Sequence, residues 1–158
     1  MKIELDKIME IKLSNPTSYI TVDTSVFISA CAESEVNCQE SKKLFNFIKD
    51  ENIFVILPIN ILFEVINNLF KIGIDDKIVY QFFGDSPNVG LIPLDEEFLE
   101  KVWVYYQNFN KLKTADRILA VTSYFFHTPL ITWDNKIIRD SSEYCQAMTP
   151  KEFMKKPC

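Results

Sequence analysis

Glycine is nearly absent from this chain. Three occur in 158 residues, and none precedes Gly73. That excludes collagen-like and linker-rich architectures, and it removes the closely spaced glycines that a phosphate-cradling loop requires. Histidine is scarcer still, with His127 alone. The four cysteines, Cys31, Cys38, Cys145 and Cys158, form no C-x-x-C pair. A zinc cage is therefore not expected.

Positive charge is also short. Lys+Arg number 17 against 22 Asp+Glu, for a net charge of −5, and Arg117 and Arg139 are the only arginines. Such a chain has no general pull toward nucleic acid or anionic lipid. It can handle a polyanion only through a local basic patch or through bound cations. No run approaches the ~20 apolar residues that a membrane span needs, and the stretch Ile53 to Phe63 is broken by Pro58 and Asn60. The start, Met1-Lys2-Ile3-Glu4-Leu5-Asp6, carries acids where a secretory signal would be apolar. The expectation is a cytoplasmic protein with reduced thiols and no membrane contact.

What is present is apolar mass, 47% of residues, enough for one domain with a real core. Helical spacing of Leu5, Ile8, Met9 and Lys12 predicts a helix ended by Asn15-Pro16. Tyr19 to Val22 predicts a strand, followed by a segment rich in Ser, Glu and Asn. Gln39 to Asp50 predicts a helix, Ile53 to Leu57 a strand covered on both sides, and Ile61 to Phe70 a broad helical stripe. A helix over 75–83, a loop at Gly84 to Pro87, a strand over 89–94 and a helix over 96–108 follow. Thr114 to Phe126 predicts a helix with Thr114 as N-cap. Leu130 to Trp133 and Tyr144 to Met148 predict the last strands, and Thr149-Pro150 starts a short helix. Strands alternating with helices imply a parallel α/β sheet, whose sites form outside the carboxyl ends of the strands.

Four acids stand out against this frame. Asp23 and Asp134 each follow a short strand ending in Thr and one further residue. Aspartate also follows strands simply as a turn former. Asp116 lies in the first turn of its helix, where the dipole favours negative charge. Glu64 sits in the most apolar stretch, and a carboxylate there needs a partner or a cation. It also shares a face with Asn60, Asn67, Asn68 and Lys71, so a solvated stripe is the competing reading. Should the four converge, two charges ~5 Å apart repel by roughly 3 kcal/mol at an effective dielectric near 20. They would take up protons or bind a hard cation such as Mg²⁺ or Mn²⁺.

The residues around these acids resemble the PIN-domain ribonucleases, including the toxin nucleases of bacterial toxin–antitoxin pairs. The resemblance rests on Val22-Asp23-Thr24-Ser25-Val26-Phe27-Ile28 and on Pro58-Ile59-Asn60-Ile61-Leu62-Phe63-Glu64-Val65. It extends to Leu112-Lys113-Thr114-Ala115-Asp116-Arg117-Ile118-Leu119-Ala120, to Pro129-Leu130-Ile131-Thr132-Trp133-Asp134, and to the ending Met148 to Phe153. It implies a three-layer α/β/α sandwich with a central parallel sheet over residues 18–158, preceded by an extension at 1–17. It implies an endoribonuclease in which Asp23, Glu64, Asp116 and Asp134 bind one or two Mg²⁺ or Mn²⁺ ions. Metal-activated water would attack phosphorus in line, leaving 5′-phosphate and 3′-hydroxyl ends. Ser25, Thr132 and Thr114 would support the acids. Lys111, Lys113, Arg117, Lys136 and Arg139 are candidates for RNA contact; ordinary solvated charge is the alternative for each. An antitoxin that plugs the acidic cleft and a homodimer are further expectations.

Three other chemistries fit less well. A haloacid dehalogenase-type phosphatase wants a second acid two residues after the first, where this chain has Ser25. A Rossmann domain wants glycines that are missing before Lys71. A receiver-like domain wants a phosphoacceptor after the Ile53 strand, which ends in Pro58. A PIN-like scaffold or RNA binder without catalysis is the main alternative. His127 reads as a loop or surface residue, and the aromatics read as packing.

Overall fold

A computed structural model of the chain describes residues 17–75, 77 and 88–155. The expected helices within residues 1–15 and over 75–83, the loop at 84–87 and nearly all of the 1–17 extension lie outside them. Five strands form one parallel sheet: β1 (Ser18–Val22), β2 (Ile53–Pro58), β3 (Val89–Ile92), β4 (Leu130–Ile131) and β5 (Ala147–Met148), in the order β3-β2-β1-β4-β5. The helices are α1 (Thr24–Cys31), α2 (Cys38–Asp50), α3 (Ile59–Lys71), α4 (Glu96–Tyr106), α5 (Thr114–Phe125), α6 (Asn135–Ser141) and α7 (Pro150–Met154). A 3-10 turn at Gln107–Phe109 follows α4. The expected α/β/α sandwich is the fold observed.

β2 is buried at all six positions, as its unbroken apolar run predicts. It packs with Ile20, Leu44, Leu119 and Leu130, all fully buried, into one core. Gly90 on β3 is there because of a neighbour. A methyl group at its Cα would lie 2.7 Å from Cε1 and 2.9 Å from Cζ of Phe54. His127 follows α5 with φ of 54° and is exposed, as a loop histidine.

Several elements depart from expectation. α1 takes the place of an irregular segment. β4 and β5 are two residues each, shorter than the predicted strands. Thr132 still donates its amide to Met148 O at 3.0 Å, and the ladder ends at Trp133, whose amide turns to Ser25 Oγ. The predicted N-cap at Thr114 is corrected. Lys113 holds that place in extended conformation, and Thr114 is already the first helical residue. Its hydroxyl therefore sits one residue too late to reach the first-turn amides.

The strand order fixes where a site can form. From β1 the chain steps outward to β2 and β3, then returns to lay β4 and β5 on the other side. The connections leaving β1 and β4 diverge at their carboxyl ends. In open α/β sheets a crevice forms at such a switch point, and Asp23 and Asp134 follow the two strands that flank it here.

Candidate active site

Asp23 is extended, with φ −78° and ψ 153°, and stands at the N-cap position of α1 without capping it. Its amide donates to Ile131 O at 2.9 Å, tying it to β4. Its Oδ2 accepts from Ser25 Oγ at 2.5 Å and from Thr132 Oγ1 at 2.7 Å. The residue is only 6% exposed. Burial pushes its carboxyl pKa up, against the lowering effect of those two hydroxyls and of the Ser25 and Thr24 amides.

Asp134 caps α6: its Oδ1 accepts from the amides of Lys136 at 2.7 Å and Ile137 at 3.4 Å. The loop carrying it is tied back, since the Asp134 amide donates to Thr132 Oγ1 at 2.9 Å. One hydroxyl thus touches both aspartate positions. The turn-former reading of Asp134 is accurate locally, and the residue still faces the crevice residues electrostatically.

Glu64 lies in the first half of α3, half-buried beside the Ile61, Val65 and Leu69 stripe. Thr24 Oγ1 donates to its Oε2 at 3.1 Å, bridging α1 to α3 next to Asp23. One turn earlier, Asn60 Oδ1 is buried without a hydrogen-bond partner. Asp116 is the third residue of α5 and is half-buried. Its pKa is raised first by burial and then by the charges on Asp23, Asp134 and Glu64, while Lys113 opposes the shift.

Among the described residues none of the four forms an ion pair. No three described His, Cys, Asp or Glu side chains are grouped tightly enough to enclose a metal by themselves. The donor set is all oxygen and anionic, with no imidazole or thiolate. That suits Mg²⁺ or Mn²⁺, and Mg²⁺ commonly binds through one or two carboxylates while retaining waters. The chemistry of the residues present fits such an ion.

A family model for the PIN domain matches residues 20–140, the span that carries all four acids. The chain belongs to the PIN domain family. No curated protein matches it in sequence. Solved PIN-type structures share its fold. A VapBC2 complex of Rickettsia felis, bound to a promoter DNA fragment, superposes with a TM-score of 0.62 at 12% identity, covering 84% of this chain and 98% of the other. VapC20 of Mycobacterium tuberculosis, a sarcin-ricin loop cleaving toxin, gives 0.60 at 14%, covering 76% and 93%. A toxin–antitoxin complex from Klebsiella pneumoniae gives 0.58 at 17%, covering 83% and 97%.

The basic residues of this PIN domain are partly committed elsewhere. Arg117 donates from Nη2 to the carbonyls of Asn110 at 2.9 Å and Leu112 at 3.2 Å, with its guanidinium 4.8 Å from the centre of the Tyr106 ring. It secures the turn before α5. Arg139 pairs with Asp140 through Nε at 2.8 Å. Lys113 and Lys136 are exposed beside the acids. Thr114 is exposed and makes no capping bond. Sequence reasoning missed Thr24 as the holder of Glu64. It also missed Trp133, whose amide donates to Ser25 Oγ at 3.2 Å. Both lie inside the quoted motifs, but nothing in their spacing indicates which acid they serve.

Proposed function

We propose that this PIN domain is a divalent-metal-dependent endoribonuclease and the toxin of a toxin–antitoxin pair, working in the cytoplasm. The observation that carries the reading is the hydroxyl network that ties three of the acids to the ends of β1 and β4: Thr132 Oγ1 donates to Asp23 and accepts from the Asp134 amide, and Thr24, next to Asp23, donates to Glu64. Carboxylates brought to one sheet edge without a cationic side-chain partner among the described residues favour a bound cation. The fold neighbours described as toxins and toxin–antitoxin complexes support the biological setting. We assign residues 18–158 to the nuclease domain and 1–17 to an extension.

Bound there, Mg²⁺ or Mn²⁺ would offset the cluster's charge and supply Lewis acidity for phosphodiester hydrolysis. The chain's own part is orientation. Ser25 and Thr132 fix the Asp23 carboxylate, Thr24 fixes Glu64, and the α6 amides fix Asp134. Asp116, on the first turn of α5, completes the set of carboxylates proposed to hold the ion. Lys113 and Lys136 are the free cations proposed for the RNA backbone.

The test is purified protein on labelled single-stranded RNA, with and without Mn²⁺. Cleavage that needs Mn²⁺ and disappears in Asp23→Asn supports the nuclease. RNA binding without cleavage at any Mn²⁺ concentration would mark a binding module instead.

A further inference from the structure

Two serines, one on α1 and one on α2, are buried. Ser29 is 4% exposed and Ser41 is fully buried. Buried hydroxyls cost stability unless they are bonded, so their partners are informative. Ser29 Oγ donates to the Val26 carbonyl at 3.1 Å. With that proton committed, Ser29 accepts from Ser41 across the 2.6 Å contact between their hydroxyls. Ser41 in turn accepts from the indole N–H of Trp133 at 2.8 Å. The protons therefore all run one way, from indole to Ser41 to Ser29 to the Val26 carbonyl.

The chain of bonds closes on itself through the acidic site. The Trp133 amide donates to Ser25 Oγ, whose own proton goes to Asp23. The Val26 amide donates to the Asp23 carbonyl oxygen at 3.1 Å. Trp133 is thus held at both ends, by the first turn of α1 and by α2. It lies between Thr132, which donates to Asp23, and Asp134. β4 is only two residues long and its hold on β5 ends with the Thr132 amide on Met148 O, so Trp133 and Asp134 need other anchors.

We propose that Trp133 is a positioning residue of the acidic site, anchored by Ser41 of α2 and Ser29 of α1. Its indole N–H sets the loop that orients Thr132 and Asp134, and its amide sets the Ser25 hydroxyl on Asp23. This rests on the cation-dependent nuclease reading above.

The test uses the full chain with Trp133→Phe, which keeps a ring and removes the donor, and Ser41→Ala, which removes the anchor. Outer partners of this kind are worth about 10–100-fold in metal affinity or activity. Each variant is expected to lose about tenfold or more in Mn²⁺ affinity by calorimetry and in kcat, with KM for RNA nearly unchanged. The double variant is expected to be no worse than the poorer single one, because both cut the same bond. Folded variants that keep Mn²⁺ affinity and kcat within about twofold of the unaltered chain, well short of that range, would overturn the positioning role. If Asp23→Asn abolishes both quantities in that experiment, the nuclease reading stands without it. An unaltered chain that neither binds Mn²⁺ nor cleaves RNA overturns both.

Discussion

Asp23 is where the account is most exposed to a single substitution. Its carboxylate is buried, accepts two hydroxyls on one oxygen, and lacks an ion pair among the described residues. Asp23→Asn keeps an acceptor for Ser25 and Thr132 and removes the charge. Cleavage is expected to fall by about 10²-fold or more, while the melting temperature holds or rises because a buried charge is gone. Calorimetry beside a cleavage assay checks both. A pH dependence follows from the same groups. Burial raises the Asp23 pKa, and burial followed by neighbouring charges raises that of Asp116. A raised folded-state pKa means the folded form binds the proton more tightly. The stability so gained is fully present below the ordinary carboxylate range and is lost as pH rises through the raised values. The cation-free protein is therefore expected to melt higher as pH is lowered from neutrality toward that range. Saturating Mn²⁺ should flatten the trend, and Asp23→Asn should shrink it.

Among the elements, legibility follows the burial pattern. β2 reads as a strand because five consecutive apolar residues, Ile53 to Leu57, have nowhere to go but between two helix layers. α3 reads as a helix because Ile61, Val65 and Leu69 recur every fourth residue. α1 does not read as one. Thr24, Val26, Phe27, Ser29 and Ala30 are buried on more than one side, so no polar stripe marks the helical period. β-branched residues and serines also lower its intrinsic propensity. Tertiary packing makes that helix, and it carries the residue that holds Glu64. The end of β4 escaped for a related reason: the Trp133 amide goes to the Ser25 hydroxyl, a side-chain bond invisible to periodicity. Two changes probe this scale. Gly90→Ala drives a methyl into Phe54 and is expected to cost about 1–3 kcal/mol in a denaturant titration. Thr149→Ala removes half of the capping box with Glu152 and is expected to cost about 1 kcal/mol by the same measurement.

At the scale of the whole molecule, strand order brings the ends of β1 and β4, with Asp23 and Asp134, to one edge of the sheet. The sequence shows that Asp23 and Asp134 end strands; it cannot show that those strands lie side by side. Parallel pairing of β1 with β4, and the reversal of direction there, supply that. The net charge of −5 and the internal bonds of Arg117 and Arg139 set the expected mode of substrate binding. With Lys113 and Lys136 proposed to meet the phosphates, the dependence of log KM on log salt should be shallow, with a slope of about 1 to 2. Lys113→Ala should lower that slope by about 0.7, read from cleavage rates across a salt series. No helix among the described residues is long and apolar enough to cross a membrane.

The central claim is that the four carboxylates act on one cation. Isothermal calorimetry with Mn²⁺ tests it on the unaltered chain and on Asp23→Asn, Glu64→Gln, Asp116→Asn and Asp134→Asn. The account predicts saturable binding that each substitution weakens by about tenfold or more. Binding that survives Glu64→Gln and Asp116→Asn at full strength would contradict it.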